Sequence, residues 1–153
     1  MKEYLIIGDI HGEYATLIAL LEANGFEDRN GFYQHERVHA IFVGDLIDRG
    51  PEQVKLLQFV RKMVEGGSAS ICMGNHEYNA IGYATARDLE HHYRPRTLRN
   101  RRQHEAFLTE VETDSPQHRA WIEWFKRIPL FLEFEQFNVV HALWEESIIA
   151  KLR

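Results

Sequence analysis

Three short segments of the 153-residue chain contain residues that could bind a metal ion. They are residues 8–12 (GDIHG), 44–50 (GDLIDRG) and 74–77 (GNHE), and a histidine also follows an apolar run at residues 139–142 (VVHA). Aspartate, asparagine and histidine supply the oxygen and imidazole nitrogen ligands that divalent cations accept. The flanking glycines allow sharp turns and a close approach of the backbone. Together these segments predict a metal site, provided that the fold brings them together.

Each of the first three segments follows an apolar run that is typical of a buried strand, at residues 4–7, 40–43 and 69–73. A helical pattern of apolar residues, from Tyr14 to Leu21, separates the first two runs. A second helical pattern follows the middle segment, with Pro51 predicted as its first helical residue. The order strand, helix, strand, helix, strand predicts parallel pairing through right-handed crossovers. Because ligands bind beyond the carboxyl ends of parallel strands, we expect the polar segments to converge.

The remainder of the chain is predicted from local signals. Residues 26–38 are polar and turn-rich, which favours a hairpin or an excursion, and residues 78–112 are predicted to be helical with a basic middle. Ser115 and Pro116 indicate the start of another helix, whose aromatic stripe is expected in the core. Two strands that could pair as a hairpin are predicted at residues 130–134 and 137–140.

The motifs GDxHG, GDxxDRG and GNHE, in this order and followed by a histidine on a strand, closely resemble the phosphoprotein phosphatase branch of the calcineurin-like metallophosphoesterases. The resemblance runs from about Lys2 to the end of the chain. It implies an α/β fold, the α/β/β/α calcineurin-like metallophosphoesterase sandwich, as a single domain over residues 1–153. Only a short segment follows His141, and no GH motif occurs. We therefore expect an incomplete second sheet without the C-terminal part of the family fold, in a fragment or a naturally short member.

The resemblance also implies a centre of two divalent metal ions, with manganese expected first and iron, zinc or magnesium as alternatives. The implied ligands are Asp9 and His11 for one ion, Asp45 for both, and Asn75 and His141 for the other. Such a pair activates a bridging water that attacks phosphorus in line. Because one C-terminal histidine ligand of the family is missing, we expect the second ion to bind more weakly.

The same resemblance implies three catalytic residues. His76 would be the general acid that protonates the leaving oxygen, Asp48 would orient its imidazole, and Arg49 would grip the phosphate oxygens together with His76. Glu77 is expected to have a structural role behind the ligands. Cys72 is interpreted as a core residue, because the Cys-x5-Arg pattern of cysteine-dependent phosphatases is absent: residue 78 is tyrosine.

Three functions are compatible with these residues. The first is a phosphoserine or phosphothreonine protein phosphatase, which would hydrolyse phosphate monoesters. The second is hydrolysis of dinucleoside polyphosphates or other nucleotides. The third is a truncated, non-catalytic module that binds metal or regulates another protein, although intact His76, Asp48 and Arg49 argue against it. No residue in the sequence distinguishes the two enzymatic alternatives.

Five arginines in the basic middle segment have two interpretations. The favoured one is a solvated helix face, and the other is a cationic rim that recruits phosphorylated substrates. These residues are Arg94, Arg96, Arg99, Arg101 and Arg102. Histidines outside the motifs, including His104 and His118, are expected to lie on the surface or to pack in the interior.

Composition limits the remaining possibilities. With 44% hydrophobic and 27% charged residues and a net charge of -5, the chain is typical of a globular domain and not of a protein that binds nucleic acid through bulk charge. No apolar run approaches the roughly 20 residues of a membrane span. One cysteine excludes an internal disulfide. We therefore expect a cytoplasmic protein without membrane association, and an exposed sheet edge that favours self-association.

Overall fold

A computed structural model describes residues 3–153, so Lys2, where the family resemblance begins, lies outside the described residues. The strands are β1 Glu3–Ile7, β2 Glu27–Arg29, β3 Phe32–Gln34, β4 Val38–Phe42, β5 Ala69–Ile71, β6 Phe131–Glu133 and β7 Asn138–Val140. The helices are α1 Tyr14–Ala23, α2 Gln53–Glu65, α3 Asn75–Ala84, α4 Leu98–Gln103, α5 Glu105–Glu110, α6 Pro116–Phe125 and α7 Glu146–Leu152.

A parallel sheet in the order β1-β4-β5 carries the three motifs that are predicted to bind metal. Ile7 pairs with Phe42, and Phe42 pairs with Ile71, so the three strands end at the same level. The helices α1 and α2 connect these strands, as the alternation of elements predicts. The α/β fold class and the parallel sheet are therefore confirmed, and the polar segments after β1, β4 and β5 lie at one edge.

The two faces of this sheet pack against different layers. On one face, Phe42 and Ile71 contact the helices through a core that includes Leu57 of α2 and Phe125 of α6. On the other face, a smaller cluster joins Ile41 and Cys72 to Val139 of β7. The hairpin β6–β7 thus forms a second β layer of two strands among the described residues, which agrees with the predicted incomplete second sheet. Ile6, on the edge strand β1, remains 55% exposed.

Several local predictions are confirmed. The segment after Phe26 forms the β2–β3 hairpin, and β6 and β7 pair antiparallel. Ser115 caps α6 by accepting a hydrogen bond from the backbone of His118, with Pro116 in the first turn. The aromatic stripe of α6 is buried, including Trp121 and Trp124.

Two helix predictions are wrong in extent. Helix α2 begins at Gln53, so Pro51 precedes it. The backbone N–H of Glu52 donates to the carbonyl of Gly12, and Glu52 has non-helical angles, φ −124° and ψ 61°. The helix predicted over residues 78–112 is interrupted between α3 and α4. There Thr85 is extended, and the chain returns so that the backbone N–H of Arg94 donates to Gly82. Pro95, which lacks an N–H, also opposes a continuous helix.

Between residues 3 and 153, none of the helices has both the length and the apolar character needed to cross a bilayer.

The close backbone approach of the loops after β4 and β5 depends on Gly44. Its φ angle is +92°, and a Cβ atom there would lie 2.1 Å from the backbone nitrogen of Gly74. Gly31 has a similar φ angle of +89° but open space around it. We predict that Gly31→Ala costs about 1–2 kcal/mol of unfolding free energy, the conformational penalty alone. Gly44→Ala should cost several times more in urea titrations, and equal losses would show that the loops can separate freely.

A pH dependence of stability follows from His118. Its side chain is fully buried, and burial lowers the pKa of the imidazole, with repulsion from His104 in the same direction. The unfolded chain therefore binds a proton before the folded chain does, so stability falls as the pH drops below about 6.5. His118→Asn keeps an acceptor for the backbone N–H of Asp114 but does not titrate. We expect its unfolding free energy to decline less steeply between roughly pH 7 and 5, and an unchanged slope would contradict this assignment.

Candidate metal centre

Backbone hydrogen bonds tie the loop after β1 to the loop after β4. The carbonyl of Asp45 accepts from the N–H groups of Ile10 and His11 at 3.1 and 2.9 Å, and the carbonyl of Leu46 accepts from Gly12 at 2.8 Å. These contacts continue the register of the parallel strands past their ends. They place Asp9 and His11 beside Asp45.

The loops after β4 and β5 are joined by the buried carboxylate of Glu77. One oxygen, Oε2, accepts from the backbone N–H groups of Asp45 and Gly74 at 2.9 and 3.0 Å, and Oε1 accepts from Leu46 at 2.8 Å. Burial raises the pKa of Glu77, and these hydrogen bonds oppose that effect by stabilising the ionised form. Glu77 therefore has the structural role expected from its sequence position.

Four residues of the motifs have positive φ angles that side chains rarely adopt. The angles are 47° at His11, 53° at Asp45 and 70° at both Asp48 and Arg49. Such conformations cost free energy and persist only where the surrounding structure enforces them. Here they lie together at the carboxyl edge of the sheet, which is the pattern expected of a functional site.

One carboxylate oxygen of Asp45, Oδ2, lies at the centre of the site. The Nε2 atoms of His11, His76 and His141 lie 3.8, 3.9 and 3.6 Å from it. The other oxygen of Asp45 accepts a 2.9 Å hydrogen bond from the backbone of His76, which fixes the orientation of the carboxylate. Asp45 is 3% exposed, so its charge has little access to water. Its position suits a ligand shared between two cations.

The tautomers of His11 and His141 leave Nε2 available to bind a cation. The Nδ1 atom of His11 donates to the carbonyl of Ile47 at 2.7 Å, and that of His141 donates to the carbonyl of Val43 at 2.8 Å. Because a carbonyl only accepts, Nε2 of each ring carries the lone pair. In His11 this Nε2 is buried and has no hydrogen-bond partner among the described residues. A buried nitrogen of this kind fits a metal ligand.

The structure also brings Asp9 and Asn75 to this centre. Asp9 lies 3.8 Å from Nε2 of His11, and its carboxylate forms a compact set with Asp45 and His141. The side-chain oxygen of Asn75 lies 3.1 Å from Nε2 of His141. All five predicted metal-binding residues therefore converge. Their oxygen and nitrogen donors fit divalent cations such as manganese, iron or zinc.

His76 and Asp48 form a hydrogen-bonded pair beside the ligands. The distance from Nδ1 of His76 to Oδ2 of Asp48 is 2.5 Å, and Nε2 of His76 points towards Asp45. The bond to Asp48 raises the pKa of His76. Burial disfavours the ionised form of Asp48, but hydrogen bonds from His104 and His76 outweigh this effect and lower the pKa of Asp48. The geometry thus suits the general acid and orienting roles predicted for these residues.

The second oxygen of Asp48 reveals a residue that sequence reasoning missed. Nδ1 of His104 contacts Oδ1 of Asp48 at 2.7 Å, and the buried imidazole packs against Phe107 and Tyr83. The sequence predicts only surface exposure or packing for His104. No local motif surrounds it, and it lies 56 residues from Asp48 along the chain.

Arg49 and Cys72 lie outside the cluster around Asp45. Arg49 is exposed and lines a cleft together with Asn75 and His76. Cys72 is buried at the end of β5, and burial raises the pKa of its thiol to about 11. A thiol of this kind is a poor nucleophile, which agrees with its interpretation as a core residue.

A parallel α/β fold with clustered carboxylates and imidazoles at the strand ends defines a class of metal-binding hydrolase. The family model of the calcineurin-like phosphoesterases matches residues 3–149. The chain therefore belongs to the calcineurin-like phosphoesterase family, whose members use divalent metal ions.

Two curated relatives are bis(5'-nucleosyl)-tetraphosphatases by name. The chain is 33% identical over 150 residues to the bis(5'-nucleosyl)-tetraphosphatase PrpE (asymmetrical) of Oceanobacillus iheyensis, across 95% of this chain and 58% of that protein. It is 30% identical over 137 residues to the symmetrical bis(5'-nucleosyl)-tetraphosphatase of Vibrio cholerae, across 90% of this chain and 43% of that protein. The chain thus spans about half the length of these relatives.

Solved structures share the fold. A metallophosphoesterase from Sphaerobacter thermophilus aligns with a TM-score of 0.59 and 21% identity, across 97% of this chain and 53% of that chain. A cold-active protein-tyrosine phosphatase of a Shewanella species aligns with a TM-score of 0.68 and 21% identity, across 100% of this chain and 45% of that chain. At this level of identity, both comparisons establish the fold alone.

His104 is expected to act as a positioning residue for His76. His104→Phe removes the donor to Asp48 but keeps an aromatic ring against Phe107 and Tyr83. We predict that kcat for p-nitrophenyl phosphate falls about 10-fold while KM changes little, as when an orienting partner of a site residue is lost.

His104→Asn is the matched variant, because its amide can still donate to Asp48. It should recover much of the lost kcat. Equal losses in both variants, in step with a lower melting temperature, would mean that His104 acts only through packing.

Proposed function

We propose that this chain provides the metal centre of a hydrolase that cleaves dinucleoside polyphosphates. The observation that carries the proposal is the arrangement around Asp45, whose Oδ2 atom faces the Nε2 atoms of three histidines while His76 is held by Asp48. This arrangement provides ligands for two cations and, next to them, a proton donor in His76.

The choice of substrate rests on the named relatives. Both are bis(5'-nucleosyl)-tetraphosphatases, one asymmetrical and one symmetrical. Their names favour the nucleotide alternative over the protein phosphatase that the sequence analysis put first. The likeness to a protein-tyrosine phosphatase does not decide the question, because unrelated substrates are hydrolysed on the same fold.

We assign the ion ligands as the sequence motifs suggest. Asp9, His11 and Asp45 would hold one cation, and Asp45, Asn75 and His141 would hold the other. The contacts of His11 with Asp9 and Asp45, and of His141 with Asn75 and Asp45, support this division. When bound, a pair of divalent ions supplies an activated water and neutralises the phosphoryl oxygens. Manganese is the proposed metal.

The remaining residues would act on the substrate directly. His76, held in its charged form by Asp48, would give the Nε2 proton to the leaving phosphate oxygen. Arg49 would bind the oxygens of the attacked phosphoryl group from the adjacent cleft. The buried carboxylate of Glu77 would keep Asp45 in place during the reaction.

The test is hydrolysis of diadenosine tetraphosphate, p-nitrophenyl phosphate and a phosphoserine peptide by metal-stripped protein with manganese restored. We expect manganese-dependent cleavage of the dinucleotide with the highest kcat/KM of the three. Product analysis then identifies the cut, since an asymmetrical cut yields ATP with AMP and a symmetrical cut yields two ADP. A preference for the phosphopeptide would favour the protein phosphatase.

Two variants check that the proposed centre is responsible. Asp45→Asn should lower kcat/KM at least about a hundredfold, because it removes the charge shared by both cations. Asp28→Asn makes the same chemical change on the exposed β2–β3 hairpin and should leave activity intact. If the folded wild-type chain hydrolyses none of the substrates with any of manganese, iron, zinc or magnesium, the proposal is wrong for this chain and the non-catalytic module is favoured.

A further inference from the structure

A polar cleft of about 680 Å³ opens beside Asn75 and His76. Its far wall comes from the segment before α4 and from α4 itself, which contribute Arg94 and Arg102, while Arg49 lies on the near wall. We call this space the arginine cleft. The carboxylates that line it are those of Asp48 and Glu105. Since Asp48 is already paired with His76 and His104, the cleft has an excess of positive charge.

Arg94 is held in a defined position by neutral partners. Its guanidinium donates to the side-chain oxygens of Asn79 at 2.7 Å and Gln103 at 2.8 Å. Within residues 3–153, no carboxylate forms an ion pair with it. The side chain is half-buried, and its two amide partners are neutral, so the positive charge of the guanidinium is not compensated by them. Arg94 is therefore pre-arranged for an anion.

The other arginines of the basic segment have different surroundings. Arg96 is neutralised by a two-bond pairing with Asp114, at 2.8 Å for each bond, and lies over the ring of Tyr83. Arg99 and Arg101 are exposed and do not line the cleft. The prediction of one solvated helix face is thus wrong for Arg94 and Arg96, which precede α4. Two members of the basic segment, Arg94 and Arg102, face the site.

Helix α3 sets the separation between the two anion sites. Asn75, a proposed metal ligand, and Asn79, the partner of Arg94, lie four residues apart, or about 6 Å along the helix axis. A phosphoryl group bound at Asn75 and His76 therefore leaves Arg94 for the next anionic group of the same substrate.

We propose that Arg94 and Arg102 form a second anion-binding site for the phosphate chain of the substrate beyond the attacked phosphoryl group. This inference rests on the proposed function, and it defines the ligand as a chain of two or more phosphates. The charge-assisted hydrogen bonds of two guanidinium groups would align the chain with His76. Substrates with a phosphate chain would then be preferred over simple phosphate monoesters.

The first test compares substrates. We expect Arg94→Gln and Arg102→Gln each to lower the ratio of kcat/KM for diadenosine tetraphosphate to that for p-nitrophenyl phosphate about 10-fold, mainly through KM. Arg94→Lys should recover part of the ratio. Arg99→Gln removes the same charge from the outer face of α4 and should leave the ratio unchanged. A fall of equal size on both substrates, or the same change in Arg99→Gln, would overturn the proposal.

The second test needs no turnover. Calorimetric titration of the metal-free protein with inorganic tripolyphosphate measures the anion affinity of the cleft without a contribution from metal ions. The double variant Arg94→Gln/Arg102→Gln should bind at least about 10-fold more weakly. The matched double variant Arg99→Gln/Arg101→Gln should bind as the wild type does. Absence of tripolyphosphate binding by the wild type, or equal binding by both double variants, would overturn the proposal of a second anion site.

The two proposals can fail separately. If the wild type binds tripolyphosphate through Arg94 and Arg102 but does not hydrolyse diadenosine tetraphosphate, the proposed function fails and the anion site stands. If it hydrolyses the dinucleotide but the arginine variants keep the wild-type ratio and binding, the function stands and the anion site fails.

Discussion

The buried carboxylate of Glu77 is the interaction on which the metal centre depends. It accepts backbone hydrogen bonds from Asp45, Leu46 and Gly74, and so joins two loops that follow different strands. A buried charge is tolerated in the interior only when hydrogen bonds replace its lost hydration. These bonds stabilise Glu77 and at the same time fix the backbone that carries Asp45 and Asn75. The closeness of Gly44 and Gly74 makes this geometry possible.

A series of hydrogen bonds connects these loops to the helical part of the site. Asp45 accepts from the backbone of His76, His76 contacts Asp48, and Asp48 contacts His104 on the far side. The imidazole of His104 is in turn held by Phe107, within the helix core. A hydrogen-bonded row of this kind keeps the proton donor in one orientation at low entropic cost during the reaction.

The site therefore has two parts with different chemistry. The strand ends carry the proposed metal ligands. The segment from Arg94 to Gln103 lines the arginine cleft, which is the proposed second anion site. In the proposed division of roles, the strand ends provide the phosphoryl chemistry and the arginine cleft provides the substrate selection, in keeping with one fold serving several functions.

The sequence by itself determined the strands of the parallel sheet, the convergence of the motifs and the residue types at the candidate metal centre. These follow from short apolar runs closed by glycine and from residues that lie within a few positions of one another. Only the tertiary structure decided that His104 contacts Asp48 and that Arg94 and Arg102, rather than Arg99 and Arg101, face the site. Such contacts join segments far apart in the chain. They depend on where α3 ends and on how the following chain folds back against α3. The periodicity of apolar residues within one element does not specify this path.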